Sequence, residues 1–160
     1  MIEVFVKAVV EDQQLHNYIV LLKEKHGERT LPIWIGPAEA MAIEAALVGE
    51  SFERPLTHDL LKIIIDTFQA KVSKIEVEEL KNEIYYAKIF IEADSKVFAI
   101  DARPSDSIAL ALRMKTVIFV DPKIMDENGW VLDGDKNVSQ LIDRLRKTKP
   151  EQFGNYNLEE

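Results

Sequence analysis

The apolar residues of this chain change period at Gly36-Pro37, and few folds accommodate such a break. Up to residue 35 they follow a two-residue period; from Pro37 they follow a helical one. Val4, Val6, Ala8 and Val10 alternate with Phe5, Lys7 and Val9, and Tyr18-Ile19-Val20-Leu21-Leu22 is a β-branched, apolar run. Lys25-His26-Gly27-Glu28 reads as a turn, and Arg29–Ile35 as a third strand that stops at Gly36. Beyond it Ala38, Met41, Ala42, Ala45 and Ala46 recur at helical spacing until Gly49. Pro37 suits the first helical position, where its missing N–H has no partner to lose.

The rest of the chain repeats this segregation. Pro55 precedes a second helix, with Thr57 as the expected N-cap, Asp59 in the first turn, and Leu60, Leu61, Ile64, Ile65 and Phe68 as the expected buried stripe. Residues 72–80, 84–92 and 96–101 read as a three-strand meander joined by short polar turns. A third helix is predicted over Pro104–Met114, a central strand over 116–120, an irregular stretch from Asp121-Pro122, and a terminal helix over 138–147. Asn155 to Glu160 reads as a mobile polar tail. Strands and helices partly cluster, so the expected fold is α+β: a mixed, mainly antiparallel sheet with three to four helices in a single domain.

Composition removes whole classes of function. With no cysteine there is no disulfide framework, thiolate metal site or cysteine nucleophile. No stretch approaches the ~20 apolar residues of a membrane span, and Glu3, Lys7, Glu11 and Asp12 interrupt the only candidate leader, so the cytoplasm is the expected compartment. The net charge is −8, with −3 in the last 35 residues and −5 in the rest, so the acidity is not confined to a tail. Such a field repels a polyanion unless a local site reverses it.

Most chemical signatures are missing. The six glycines are scattered, and His16, His26 and His58 are not spaced as ligands on one helix. Glu79-Leu80-Lys81 imitates a nuclease Glu-x-Lys, but at a hairpin tip. The richest cluster is Asp101-Ala102-Arg103-Pro104-Ser105-Asp106-Ser107, where a strand gives way to a helix. Ser105 or Asp106 can cap that helix, while Asp101 and Arg103 either pair as a structural salt bridge or line a site. Glu53-Arg54-Pro55-Leu56-Thr57-His58-Asp59 is a second cluster. There the helix dipole disfavours a charged His58, leaving it as a buried hydrogen-bonded side chain, a general base or a metal ligand. In Leu31-Pro32-Ile33-Trp34-Ile35-Gly36-Pro37-Ala38-Glu39-Ala40, Glu39 is a dipole partner or a ligand carboxylate. A small-molecule sensor built around Trp34 rests on Trp34 alone, a residue type more often found in the core.

These three segments in this order resemble the bifunctional nuclease domain family, also known as domain of unknown function 151. The resemblance runs from about residue 2 to Asp121, leaving 122–160 as a C-terminal helix and polar tail packed on that domain or extending from it. It implies an α+β fold, homo-oligomers, and, from the plant members, hydrolysis of both DNA and RNA. Arg54, Thr57, His58 and Asp59 match the second motif, Asp101, Arg103, Ser105 and Asp106 the third, and Glu39 the acid after the Ile-Gly turn. Ser107 departs from the small apolar residue expected there. On this footing His58, Asp59, Asp101, Arg103 and Asp106 are the candidate catalytic residues, and Arg54, Thr57, Arg103 and Ser105 the candidate substrate contacts. Asp59, Asp101, Asp106 and Glu39 are candidate ligands for a divalent ion such as Mg²⁺, for which hard oxygen donors are suited. Nucleic acid is the implied partner. The alternative is a non-catalytic oligomeric binding or scaffold domain, in which the same arginines and acids are a structural salt-bridge network.

Overall fold

The protein is described by a computed structural model, which covers residues 1–133 and 135–147. Among these residues it forms β1 (Ile2–Asp12), β2 (Asn17–Glu24), β3 (Arg29–Ile35), α1 (Pro37–Val48), α2 (Thr57–Thr67), β4 (Lys71–Lys81), β5 (Ile84–Ala93), β6 (Lys96–Ala102), α3 (Pro104–Met114), β7 (Val117–Val120), α4 (Pro122–Asn128), β8 (Trp130–Val131) and α5 (Asp135–Arg146). The strands join one sheet in the order β6-β5-β4-β7-β1-β2-β3-β8. Every pairing is antiparallel except β4 with β7. The α+β expectation therefore holds, with five helices among the described residues rather than three to four. The polar tail expected at 155–160 lies outside them.

Both faces of the sheet are covered around β2, which explains its unbroken apolar run. Val20 and Leu22 face the main core with Leu31, Ile33, Ile43, Ile75 and Ile108, whereas Ile19 and Leu21 face a second cluster with Trp34 and Leu141 of α5. In β1 the alternation slips. Val4 and Val6 belong to the main core, yet Ala8 and Val10 pack in the second cluster and Val9 takes the main-core side. A register shift between Val6 and Ala8 accounts for this: Lys7 is an extra residue, and one extra residue exchanges the faces of all that follow.

The helices α1 and α3 cover the main face. Small residues allow their close approach, with Ala40, Ala42 and Ala45 of α1 buried alongside Ala109 and Ala111 of α3. Gly49 ends α1 in the left-handed region at φ 67°, where a side chain would be strained. The helix α2 packs chiefly on α3, so its expected buried stripe is exposed: Leu60 is 50% and Phe68 78% accessible, and only Ile65 reaches the core. Its buried residue is instead His58. The stretch after Asp121, expected to be irregular, is α4. Asp121 caps it by accepting from Lys123 N at 2.8 Å, and Pro122 follows at the first helical position. No helix among the described residues is long and apolar enough to cross a membrane.

Candidate active site

The three helix starts singled out in the sequence bring four of their side chains together. Glu39 comes from the first turn of α1, His58 from α2, and Arg103 and Asp106 from the start of α3. Arg103 Nε donates to Asp106 Oδ2 at 2.7 Å and Nη2 to Oδ1 at 3.2 Å, a two-point clasp. Its Nη1 donates to Glu39 Oε1 at 3.0 Å. Asp106 Oδ1 also lies 2.9 Å from His58 Nε2. Backbone permits this approach at Gly36, because a Cβ there would collide with Glu39 Oε2.

Electrostatics fix the protonation pattern. The His58 hydrogen bond, followed by the Arg103 clasp, holds the Asp106 carboxyl down at about 2. Asp106 is therefore ionised at neutral pH and can only accept, so the proton of the shared bond resides on His58 Nε2. A neutral His58 then has its lone pair on Nδ1, which has no hydrogen-bond partner among the described residues. Asp106, and then Glu39, in turn hold Arg103 firmly protonated.

Acid unfolding tests this pattern. A carboxyl lowered from 3.8 to about 2 contributes its full stabilisation above about pH 4 and loses it as the pH falls through 2. Asp106→Asn is expected to cost about 2 kcal/mol near neutrality. The gap to the parent chain should close as the pH falls from 4 to 2, as read by denaturant melts across that range.

Asp59 belongs to a neighbouring pair. Its Oδ1 accepts from Arg113 Nε at 2.6 Å and its Oδ2 from Leu56 N at 3.0 Å, and both interactions lower its pKa. Leu56, not Thr57, is the N-cap, and Thr57 is the exposed first residue of α2. Likewise Arg103 is the N-cap of α3, with no side-chain cap from Ser105 or Asp106. Ser105 is buried in the first turn, and Asp106 turns to His58 instead. The buried Ser107 donates its hydroxyl to Arg103 O at 3.0 Å, which gives the unexpected hydroxyl a partner and steadies the turn.

Two expected members stand apart. Arg54 is exposed, with no side-chain partner among the described residues. Asp101 pairs in register with Lys88, while its neighbours Ala102 and Ile100 pair with Ala87 and Ile89 of the main-core face. Asp101 thus points to the face of the sheet opposite the helices. The four carboxylates expected to hold a divalent ion consequently do not converge. Glu39 and Asp106 share Arg103, Asp59 pairs with Arg113, and among the described residues no group of three His, Asp or Glu side chains is placed to share an ion. This donor arrangement does not fit a metal bound by all four.

Arg113 is the residue that motif reasoning passed over. Besides Asp59 it reaches Ala42 O and Ala109 O, each at 2.9 Å, so it ties α1, α2 and α3 together. Its signal was the seven-residue spacing from Asp106, two helical turns along one face of α3.

The mixed sheet, its helical layer and the ion-paired cluster at three helix starts define an α+β protein with a polar site on its helical face. The family model of the bifunctional nuclease domain matches residues 20–133, and the chain belongs to that family. It is 33% identical over 151 residues to an uncharacterised protein of Mycobacterium tuberculosis, spanning 94% of this chain and 90% of that relative. Bifunctional nuclease 1 of Oryza sativa subsp. japonica is 26% identical over 123 residues, which are 75% of this chain and 37% of the rice protein. Bifunctional nuclease 2 of Arabidopsis thaliana is 28% identical over 125 residues, 76% of this chain and 38% of the plant protein.

Proposed function

We propose that the protein is a nuclease that hydrolyses phosphodiester bonds of DNA and RNA with little sequence preference. The observation that carries this reading is a histidine oriented by an ionised aspartate beside an arginine with donors to spare. Arg103 has five N–H groups, of which three are committed to Asp106 and Glu39, and its side chain is 53% exposed. The remaining two can meet the phosphate oxygens and stabilise charge as it builds in the transition state. His58 Nδ1 takes a proton from the attacking water, and Asp106 steadies the resulting imidazolium. The leaving oxygen is protonated from solvent. Arg54, exposed just before α2, adds a phosphate contact, which helps an acidic chain meet a polyanion. The family membership and the names of the plant relatives support the same activity.

End-labelled single-stranded DNA, duplex DNA and RNA, incubated with purified protein, provide the test. Cleavage is expected for all three, falling by roughly 10²–10⁴-fold in His58→Ala. Asp101→Ala, on the other face, serves as the positional control. Parent protein that cleaves no faster than His58→Ala sinks the proposal.

One observation favours the scaffold reading: every charged member of the cluster has a partner, and the pairs join three helices. If His58→Ala lowers the melting temperature without touching a measurable rate, the network is structural. The exposed apolar side chains of α2 support self-association under either reading.

A further inference from the structure

A cavity of about 520 Å³ lies where β3, β8, α5 and the β4–β5 hairpin meet, and it shares no residue with the His58 cluster. That volume is within the range of small-molecule sites, roughly 300–1,000 Å³. Its walls include Trp34, Trp130 and Tyr85, and both tryptophans of the chain are among them. The Arg144 guanidinium covers the Trp130 ring at 4.9 Å from its centroid.

The floor is unusual in its hydrogen bonding. Pro32 and Trp34 line the cavity from one face of β3, and Thr30 is the next residue on that face, paired in register with Trp130. Among the described residues the buried side-chain polar atoms with no partner are Thr30 Oγ1 and Trp34 Nε1. Thr30 is 1% and Trp34 8% accessible. Orphaned buried donors are rare, and here both fall on one strand face, where Trp34 itself lines the cavity. A ligand that accepts a hydrogen bond would satisfy the Trp34 N–H.

Charge narrows the ligand further. Glu83 and Glu127 line the cavity against a single arginine, Arg144, so the charge of the lining is net negative. A phosphate is therefore unwelcome, while a flat neutral ring with acceptors on one edge and donors on another suits both the indole N–H and the carboxylates. We propose that this cavity binds an uncharged nucleoside or free nucleobase, packed among the aromatic walls with a ring acceptor on Trp34 Nε1. Binding here goes beyond hydrolysis at His58 and is read without turnover, so either can fail alone.

Intrinsic tryptophan fluorescence reports on this cavity directly. The full chain is titrated with adenosine, guanosine, cytidine and uridine, and separately with their 5′-monophosphates. At least one nucleoside is expected to give a saturable change below millimolar concentration, with its monophosphate binding roughly tenfold more weakly. Trp34→Phe keeps an aromatic ring, though a smaller one, and removes the N–H, and should weaken that nucleoside roughly tenfold, with Trp130 still reporting. If Trp34→Phe does not fold, the exposed Glu127→Gln decides, because it should narrow the preference for nucleoside over monophosphate. No saturable change with any of the four nucleosides overturns the proposal. So does equal binding of the monophosphates, or an affinity indifferent to Trp34→Phe or, where that variant does not fold, a preference unmoved by Glu127→Gln.

Discussion

Arg103→Met is expected to slow phosphodiester hydrolysis by roughly 10²–10³-fold while moving the melting temperature little. The asymmetry follows from exposure. The side chain is 53% accessible, so water screens its pairs with Asp106 and Glu39 in the resting protein, and its loss should cost no more than about 1 kcal/mol of stability. Bound phosphate changes the balance, since it displaces water from the guanidinium and leaves the two unused N–H groups as the nearest counter-charge. Arg103→Lys keeps the charge but not the fork that clasps both oxygens of Asp106. That variant should recover only a small part of the rate, because Asp106, freed from the clasp, no longer fixes His58. Turnover of labelled oligonucleotide, set beside thermal melts of the same preparations, separates the two readings of the cluster. A large melting shift with unaltered turnover would make Arg103 a structural strut.

How far the site was readable depends on which signals are local. Helix starts carry local grammar, and the Arg-Pro steps at Arg54 and Arg103 and the Gly36-Pro37 step each marked a real helix. Glu39, His58, Arg103 and Asp106 meet because α1 and α2 both pack on α3 and present their first turns together. Asp101 stands apart despite its nearness in sequence to Arg103. A strand reverses face at each residue, and the parity that sends Ala102 to the core sends Asp101 away from it. The exposed stripe of α2 was missed for a related reason. Periodicity reveals an apolar face but not whether anything covers it, and α2 leans on α3 through one edge and two polar contacts, His58 with Asp106 and Asp59 with Arg113. Lys7, the extra residue in β1, carries no recognisable mark in the sequence, since its effect exists only relative to the register of β2.

A large stability effect is expected far from the cluster, at Arg146. The side chain of Asp12 is fully buried, and Arg146 of α5 meets it twice, through Nε at 2.8 Å and Nη2 at 2.7 Å. Gln14 N adds a third hydrogen bond at 3.0 Å. The arginine bonds, ahead of the backbone contribution, hold the Asp12 carboxyl below its usual range. Arg146→Met keeps the apolar stem of the side chain but strands the carboxylate with backbone donors alone and no counter-charge. Uncompensated buried charge of this kind costs about 3–5 kcal/mol, and the partial exposure of Arg146 puts the expectation near the lower end, about 3 kcal/mol. For a chain of this size that is a fall in melting temperature of roughly 6–12 °C. The pH dependence identifies the cause. A carboxyl whose folded pKa is lowered stabilises above its unfolded pKa and ceases to as the pH falls through the folded value. The deficit of Arg146→Met should therefore be full at neutral pH and shrink on acidification, as Asp12 becomes protonated in the variant and its burial ceases to be costly. Packing of Leu141 against Ile19, Leu21 and Trp34 does not depend on charge, so it persists throughout that titration. A deficit that stays constant from pH 7 down to pH 3 would assign the loss to misplacement of α5 rather than to the stranded carboxylate.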